Sequence, residues 1–211
     1  MEVLGMKIGF VGAGHVTQVL AGLFIKAGHS VVLTNKHGLA KLQPVIEKLG
    51  PQAQAGSLAQ VAQQELVILA VPFKAVFDLD SKLFADSALV DATNYLPRRD
   101  GAYEEVQTHQ LASSQLVAKH FPGARVVKAF NTLPVANLND LSQKGLAGNP
   151  TALPLAGDAG VKLQVAGLMR QLGFTPYDVG DLAASQKFQA DTPLFLFASN
   201  EAGLKRKFAS L

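Results

Sequence analysis

The sequence predicts an α/β fold in which a doubly wound parallel sheet is followed by a small C-terminal α/β module. Three observations lead to this prediction. Short apolar runs alternate with amphipathic segments along the chain, as parallel strands joined by crossover helices require. Residues 66–71 are continuously apolar, as expected of a strand buried on both faces. Residues 7–17 pass from an apolar run through closely spaced glycines into an amphipathic segment, which indicates a strand, a tight turn and the start of a helix.

The other elements of the main sheet follow the same alternation. In chain order the patterns predict helix 15–27, strand 30–33, helix 38–49, strand 52–55, helix 58–64, strand 66–71, and strands 88–91 and 125–129. Ser57 is a suitable N-cap for the helix that begins at Leu58. Pro72 ends the strand before it because it cannot donate to the sheet.

A smaller module is predicted after a break in the pattern at Gly148, Asn149 and Pro150. The expected division is therefore a main domain over 1–147 and a module over 148–211. Within the module the patterns predict strand 152–156, helix 158–172 and strand 175–179. The apolar cluster 192–197 is too short for a membrane anchor, so it is expected to pack a core or to floor a pocket for a flat ring.

Composition narrows the class of protein. The chain has 211 residues, of which 48% are hydrophobic and 17% charged, and this suits one domain with an appendage. A formal net charge of +3 shows no nucleic-acid patch, and the absence of cysteine excludes disulfides, thiolate metal sites and cysteine nucleophiles. No stretch has the length of a membrane span and Met1-Glu2 does not open a secretory signal, so we expect a cytoplasmic protein.

The glycine turn is the first candidate site. Gly12 allows the chain to leave the strand where a side chain would clash, and Gly14 allows the backbone to approach a phosphate closely. The following helix directs its unpaired N–H groups at the anion, so the expected dinucleotide contacts are Gly12, Ala13, Gly14, His15 and Val16. Thr17 stands where a third glycine is usual, which implies looser helix packing or a hydroxyl near the ligand.

The end of the second predicted strand indicates which dinucleotide is bound. Thr34, Asn35 and Lys36 lie about twenty residues past the glycines, where an NAD enzyme has an acidic residue on the ribose. A hydroxyl, an amide and a cation suit a 2′-phosphate instead. The residues therefore favour NADP, and the alternative is that Lys36 and His37 form a solvated loop.

Three further strand ends are expected to face the same crevice, because ligands bind at the carboxyl edge of an open α/β sheet. The predicted contacts there are Ala70, Val71, Pro72, Asn94, Ala129 and Asn131. The two asparagines offer amides to ribose or carboxamide groups, unless they only stabilise turns. Asp91 is expected to cap backbone groups. His109 and His120 are expected in a helical region, as surface or core residues.

These motifs carry a family resemblance. The chain resembles the F420-dependent NADP reductase family and, more distantly, the cytosolic oxidoreductase domain of the six-transmembrane metalloreductases. The resemblance covers the chain to about Pro193, and the motifs that carry it are residues 12–14, 34–36, 70–73, 90–95 and, most specifically, 122–134.

The resemblance implies a Rossmann-type NADP-binding domain over 1–147 and hydride transfer between NADPH and a second carrier. In the family that carrier is coenzyme F420 or a flavin, bound in the cleft that the C-terminal module closes. Such a transfer needs no protein acid or base, since the two cofactors supply the chemistry. This agrees with a sequence in which no catalytic residue and no metal-ligand set is identified.

Two other functions stay open at this stage. One is an imine or hydroxyacid reductase of related fold, although those enzymes usually add a long helical domain for which this chain is too short. The other is a non-catalytic NADP-binding sensor or partner module. The expected partner is a small-molecule redox acceptor, with no nucleic acid and no membrane, and the apolar tail suggests a homodimer.

Overall fold

A computed structural model describes residues 5–144 and 149–211 and shows strands alternating with helices along most of the chain. The strands are Lys7–Val11 (β1), Ser30–Thr34 (β2), Ala53–Ala55 (β3), Leu66–Leu69 (β4), Ala88–Asp91 (β5), Arg125–Lys128 (β6), Ala152–Gly157 (β7) and Thr175–Gly180 (β8). The α-helices are His15–Lys26 (α1), Gln43–Leu49 (α2), Leu58–Ala62 (α3), Pro97–Asp100 (α4), Glu104–Gln107 (α5), Ser113–His120 (α6), Val135–Lys144 (α7), Ala159–Gln171 (α8) and Glu201–Ala209 (α9). Short 3₁₀ helices cover Leu39–Leu42, Phe73–Asp78, Ser81–Phe84 and Leu182–Phe188.

One sheet contains all eight strands in the order β3-β2-β1-β4-β5-β6-β7-β8. Strands β1 to β6 are parallel to one another, and the order reverses direction between β1 and β4. This is the doubly wound arrangement predicted from the alternating pattern. Its ligand crevice lies outside the carboxyl ends of the strands at the reversal point, which is where the glycine turn follows β1.

The two faces of the sheet bury separate hydrophobic clusters because successive side chains of a strand point to opposite faces. In β1, Ile8 and Phe10 pack with α1, α7 and α8, whereas Val11 packs on the opposite face with residues of α3 and α6. A third cluster lies beside β7 and includes Phe188 and Leu194. The segment 192–197 contributes to this core through Leu194, while Leu196 stays half exposed.

The C-terminal strands extend the main sheet beyond β6. β7 is antiparallel to β6, with Lys128 opposite Ala156, and β8 is parallel to β7. Since β6 ends at Lys128, the four residues 152–155 of β7 lie beyond it on the carboxyl side. At about 3.3 Å per residue they project roughly 13 Å past the edge. β7 and β8 thus form a wall beside the ligand crevice. The predicted boundary at 147/148 falls within residues 145–148, which lie outside the described ranges.

Several local features differ from the predictions or sharpen them. The capping box at Ser57 is present, with the hydroxyl accepting from Gln60 N and the Gln60 side chain accepting from Ser57 N. The prediction that His109 lies in a helical region is wrong: His109 follows α5 in a left-handed turn with φ of 56°. His120 is the last residue of α6, and its Nε2 lies 3.0 Å from the Leu79 carbonyl oxygen.

Among the helices of the described residues, none has both the length and the apolar character needed to cross a membrane.

Candidate functional site

The glycine turn joins the ends of three neighbouring strands. Gly12 has φ of 113°, and its N–H donates to the Thr34 carbonyl at 2.9 Å. A Cβ at Gly12 would lie 2.4 Å from the Ala70 carbonyl oxygen, so no side chain fits between β1 and the end of β4. The Ala70 N–H in turn donates to the Val11 carbonyl at 2.9 Å. The clash predicted from the sequence is therefore real, and it fixes the turn against β2 and β4.

Gly14 has the opposite environment. It is exposed, its φ of −73° is open to any residue, and a Cβ built on it would meet no heavy atom within 4 Å. It is also the N-cap of α1, where no described side chain satisfies the first backbone N–H groups. The helix start with exposed His15 thus presents unpaired donors and a positive dipole end to open space, which suits a pyrophosphate.

Gln18, in the first turn of α1, fixes the backbone of the glycine turn. Gln18 donates through Nε2 to the Ala13 carbonyl at 3.1 Å, and its backbone N–H donates to the Gly14 carbonyl at 3.0 Å. Ala13 and Val16 are half-buried. Thr17 is fully buried, and its hydroxyl has no partner among the described residues.

The predicted 2′-phosphate residues follow β2 at the same edge. Lys36 is exposed and makes no ion pair with a described carboxylate. Asn35 is half-buried, and its Oδ1 accepts the His37 N–H at 2.9 Å, which closes the turn. Thr34 is mostly buried in the end of the strand. The cation is thus the accessible member of the predicted set.

The other predicted contacts lie at the ends of β4, β5 and β6. Ala70 and Val71 are half-buried and Pro72 is exposed next to the glycine turn. Asn94 Nδ2 donates to the Asn131 carbonyl at 3.1 Å, and Asn131 Nδ2 donates to Asn94 Oδ1 at 3.3 Å. The two asparagines that the sequence placed in separate loops therefore contact each other. Ala129 is fully enclosed in the core beneath them, so its side chain does not reach the crevice.

Asn131 also contacts the C-terminal module. Its Nδ2 donates to the Phe188 carbonyl at 3.0 Å, while its buried Oδ1 has no partner among the described residues. The next residue, Gln189, accepts the Ser113 N–H at 3.1 Å. The segment 182–189 consequently packs against the edge of the main sheet at the asparagine pair.

A buried ion pair lies directly under these loops, and the sequence reasoning did not identify it. Asp91 at the end of β5 and Lys128 at the end of β6 are opposite in register, and Lys128 Nζ lies 3.1 Å from Asp91 Oδ2. Burial lowers the pKa of Lys128, and the Asp91 carboxylate opposes that lowering. Asp91 does cap the Thr93 N–H at 2.9 Å, as expected, but the cap is a small part of its role. One feature of the sequence could have indicated the pair: Lys128 is the single charged residue in the otherwise apolar run 126–130.

A second acidic residue holds the loop after Asn94. Asp100 accepts two hydrogen bonds from Arg99, at 2.8 and 2.9 Å, and one from the Leu96 N–H at 2.9 Å. Burial raises the pKa of Asp100, but the bonds and charge of Arg99 together with the backbone donors outweigh this, and the pKa is lowered overall. Arg99 also donates to the Asn94 carbonyl, so this ion pair supports the asparagine loop.

The edge therefore offers an open anion-binding turn, an exposed cation for a second phosphate, and a rigid amide pair facing the C-terminal module. No group of three or more His, Asp or Glu side chains within residues 5–144 and 149–211 is arranged to hold a metal ion.

Comparisons with known proteins agree with this geometry. Residues 7–95 match the family model described as NADP oxidoreductase, coenzyme F420-dependent. The hypothetical protein SMa0349 from Sinorhizobium meliloti is 32% identical, with coverage of 93% of this chain and 96% of its own and a TM-score of 0.80. A protein from Arthrobacter sp. FB24 described as an F420-dependent NADP reductase is 26% identical, with coverage of 86% and 88% and a TM-score of 0.74.

Two further matches are a longer protein and a structure that shares the fold at low sequence identity. Metalloreductase STEAP3 of Rattus norvegicus is 30% identical over 198 residues, which are 92% of this chain and 37% of STEAP3. This chain thus spans little more than a third of that relative. A reductive aminase from Aspergillus terreus in complex with NADPH shares the fold at 18% identity and a TM-score of 0.58. The resemblance predicted from the sequence motifs is confirmed.

Proposed function

We propose that the protein is an NADP(H)-dependent oxidoreductase, because residues 7–95 match the family model described as NADP oxidoreductase, coenzyme F420-dependent. In this proposal it transfers a hydride between the nicotinamide and coenzyme F420, a flavin or a similar acceptor. The observation that carries the proposal is the glycine turn at the reversal point of the sheet, with open space at Gly14 and the cation of Lys36 on the adjacent strand end.

The residues present fit an NADP cofactor. The space in front of Gly14 is open, since a Cβ built there would meet no heavy atom within 4 Å, and a phosphate can approach the backbone at this point. Lys36 supplies the positive charge that a 2′-phosphate needs, and no described carboxylate pairs with it. The unpartnered Oδ1 of Asn131 is an acceptor that a carboxamide N–H would satisfy. The proposed contacts are thirteen of the fourteen residues predicted from the sequence, since the side chain of the fourteenth, Ala129, is enclosed in the core.

The bound NADPH would supply a hydride, two electrons and one proton, to the acceptor ring and leave as NADP⁺. The protein's contribution is to bind both rings at one place and to exclude water from between them. The wall of β7 and β8 and the packing of 182–189 against Asn131 support a cleft between the sheet edge and the C-terminal module as the acceptor site.

The test is NADPH oxidation measured in parallel with coenzyme F420, FMN, FAD, a quinone and a ferric chelate. We expect one ring acceptor to be reduced far faster than the others, and NADH to be a much poorer donor than NADPH. The variant Gly14→Val serves as the matched inactive control. Tight NADPH binding without oxidation by any of the five acceptors would contradict the proposal and favour a sensor or partner module.

The same panel separates the related fold. Imine reductases share this fold at low identity, and this chain covers 62% of the imine reductase from a Pseudomonas species. Adding a cyclic imine as a sixth substrate tests that reaction directly. Rapid imine reduction with no activity on the ring acceptors would overturn the acceptor assignment but leave the NADP assignment standing.

A further inference from the structure

The ion pair of Asp91 and Lys128 occupies an unusual place for two charges. Both side chains are almost completely buried, with 0% and 1% exposed, and the only other charged residue of the two strands is Arg125, at the exposed start of β6. Burying such a pair brings little net stability, because the desolvation of both charges offsets their attraction, and an apolar pair of similar volume is often as stable. A role in positioning therefore deserves a direct structural argument.

Both charged groups form hydrogen bonds with one residue, Thr93. Asp91 Oδ1 accepts from the Thr93 N–H at 2.9 Å and from the Thr93 hydroxyl at 2.7 Å. Lys128 Nζ donates to the Thr93 carbonyl oxygen. Asp91 Oδ2 also accepts from the Ser114 hydroxyl of α6 at 2.6 Å. The backbone donor and acceptor of Thr93 are both fixed, so the direction in which the chain enters Asn94 is fixed as well.

The other loop begins directly after the same lysine, at the end of β6. Asn131 is three residues beyond Lys128, and between them Phe130 has φ of 60°, a left-handed conformation that costs a non-glycine residue about 1–3 kcal/mol. Phe130 is buried edge-on against Phe24, with ring centroids 6.1 Å apart. Strain of this kind persists only where the surroundings hold it, and here Asn94 and Phe188 bind the Asn131 amide from two sides.

We infer that Lys128 and Asp91 are positioning residues for hydride transfer. They join the ends of β5 and β6 into one rigid platform, so that Asn94 and Asn131 keep a single arrangement beneath the nicotinamide half of the crevice. Neither charged group reaches the ligand, and both act through the two asparagines. This inference rests on the proposed NADP(H)-dependent function.

The sharpest test removes both charges at once. In Asp91→Asn/Lys128→Met the volume is kept and the new amide oxygen at position 91 still accepts from Thr93, but the tie from Lys128 to the Thr93 carbonyl is lost. The measurements are the midpoint of urea unfolding, the affinity for NADPH, the ¹H–¹⁵N signals of the Asn94 and Asn131 side-chain amides, and the rate of hydride transfer to the fastest acceptor of the panel.

We expect the unfolding midpoint to stay close to that of the wild type and the NADPH affinity to change little. The amide signals of Asn94 and Asn131 broaden or shift, and kcat falls roughly 10- to 100-fold with the acceptor KM nearly constant, because a small displacement of the reacting rings is costly. Unchanged amide signals or a wild-type kcat in the folded double variant would overturn the inference.

Two further variants keep the test decisive. Ser114→Ala leaves both charges paired and removes one hydrogen bond to Asp91, so it serves if the double variant does not fold. It should shift the Asn94 signal and lower kcat a few-fold, and wild-type values for both would also overturn the inference. Lys162→Met is the matched control, since it breaks the ion pair with Asp178 (2.7 Å) on β8. It should change neither the amide signals nor kcat.

The readouts separate the two proposals. If the wild-type protein oxidises NADPH with none of the acceptors, the proposed function fails. The amide signals of the two asparagines, measured with NADPH added, still decide whether the buried pair holds them. If the double variant loses the ordered amide signals and the wild-type protein has no enzyme activity, the buried pair positions the two asparagines of a binding site that carries out no reaction.

Discussion

At the residue scale, Gly12 and Gly14 lie two positions apart and have different physical roles. Gly12 combines φ of 113° with a neighbour that blocks any Cβ, so it is required by the fold. Gly14 has an ordinary φ and open space, so only a ligand would require it. The sequence motif predicts a role for both glycines but does not distinguish the two roles. The distinction depends on whether another part of the chain, here the Ala70 carbonyl, lies opposite the glycine.

This difference gives the first prediction. Gly14→Val should abolish measurable NADPH binding, because its side chain would occupy the space of the pyrophosphate, while the free energy of unfolding changes by less than about 1 kcal/mol. Gly12→Ala should destabilise the fold by about 2 kcal/mol or more through backbone strain and the clash with Ala70. Calorimetric titration with NADPH and urea unfolding measure the two effects, and wild-type affinity in Gly14→Val would refute the phosphate site.

Lys36 gives the second prediction. Lys36→Glu should weaken NADPH binding at least tenfold more than NADH binding, because it places a carboxylate beside the 2′-phosphate. Lys119→Glu, an equally exposed substitution on α6, is the matched control and should leave the ratio of the two affinities unchanged. Equal losses for NADPH and NADH in Lys36→Glu would show that Lys36 belongs to a solvated loop.

Lys128 marks the limit of residue-level prediction. A lysine next to the end of a short strand is usually solvent-exposed, and the local sequence does not show which residue stands opposite it. Only the pairing of β5 with β6 brings Asp91 to it. The left-handed Phe130 is equally hidden, since phenylalanine has no preference for that conformation.

At the scale of elements, the strands were predictable and their directions only partly so. The apolar runs of β1, β2, β4, β5 and β6 lie within one residue or two of the predicted segments, because burial on both faces demands apolar side chains. β7 has the same apolar character, yet it runs antiparallel to β6. Periodicity shows that a segment is extended and buried but contains no information on its direction.

The loop that follows β5 gives a pH prediction. The pKa of Asp100 is lowered in the folded protein, so its stabilising contribution is fully present above the pKa of the unfolded chain and is lost as the pH falls through the folded value. Asp100→Asn should therefore be less stable than the wild type near neutral pH, with the difference shrinking between about pH 5 and pH 2. Urea unfolding across this range measures it.

A parallel measurement checks the cause. Arg99→Met removes the guanidinium that lowers the pKa of Asp100, so this variant should be less stable than the wild type near neutral pH and should lose less stability on acidification. A constant difference between Asp100→Asn and the wild type from neutral to acid pH would show that the Asp100 contacts contribute no proton linkage.

At the scale of the whole molecule, we propose a homodimer formed through the apolar segment 192–197. Leu196 is 50% exposed and has φ of 60°, so a large apolar side chain is displayed on a strained backbone. In this proposal Leu196 packs against the same segment of a second copy of the chain, which would remove its apolar side chain from water.

The fourth prediction tests this surface. Leu196→Asn keeps the left-handed backbone, which asparagine tolerates, and removes the apolar group, so it should shift the dimer towards monomer at micromolar concentration. Leu163→Asn on α8, where the leucine is 77% exposed, is the matched control and should leave the mass unchanged. Light scattering after size-exclusion chromatography gives the mass, and a monomeric wild-type protein would refute the dimer.

The buried pair of Asp91 and Lys128 also has a consequence for how the sheet assembles. A slip of β6 by one residue against β5 would turn Lys128 to the opposite face, among Phe24, Phe130 and other apolar side chains, with no carboxylate opposite. An unpaired buried ammonium costs several kcal/mol, whereas two purely apolar strands would tolerate the slip far better. The charges thus specify one register of β6 against β5 during folding. That register also determines the position of the residues that follow β6.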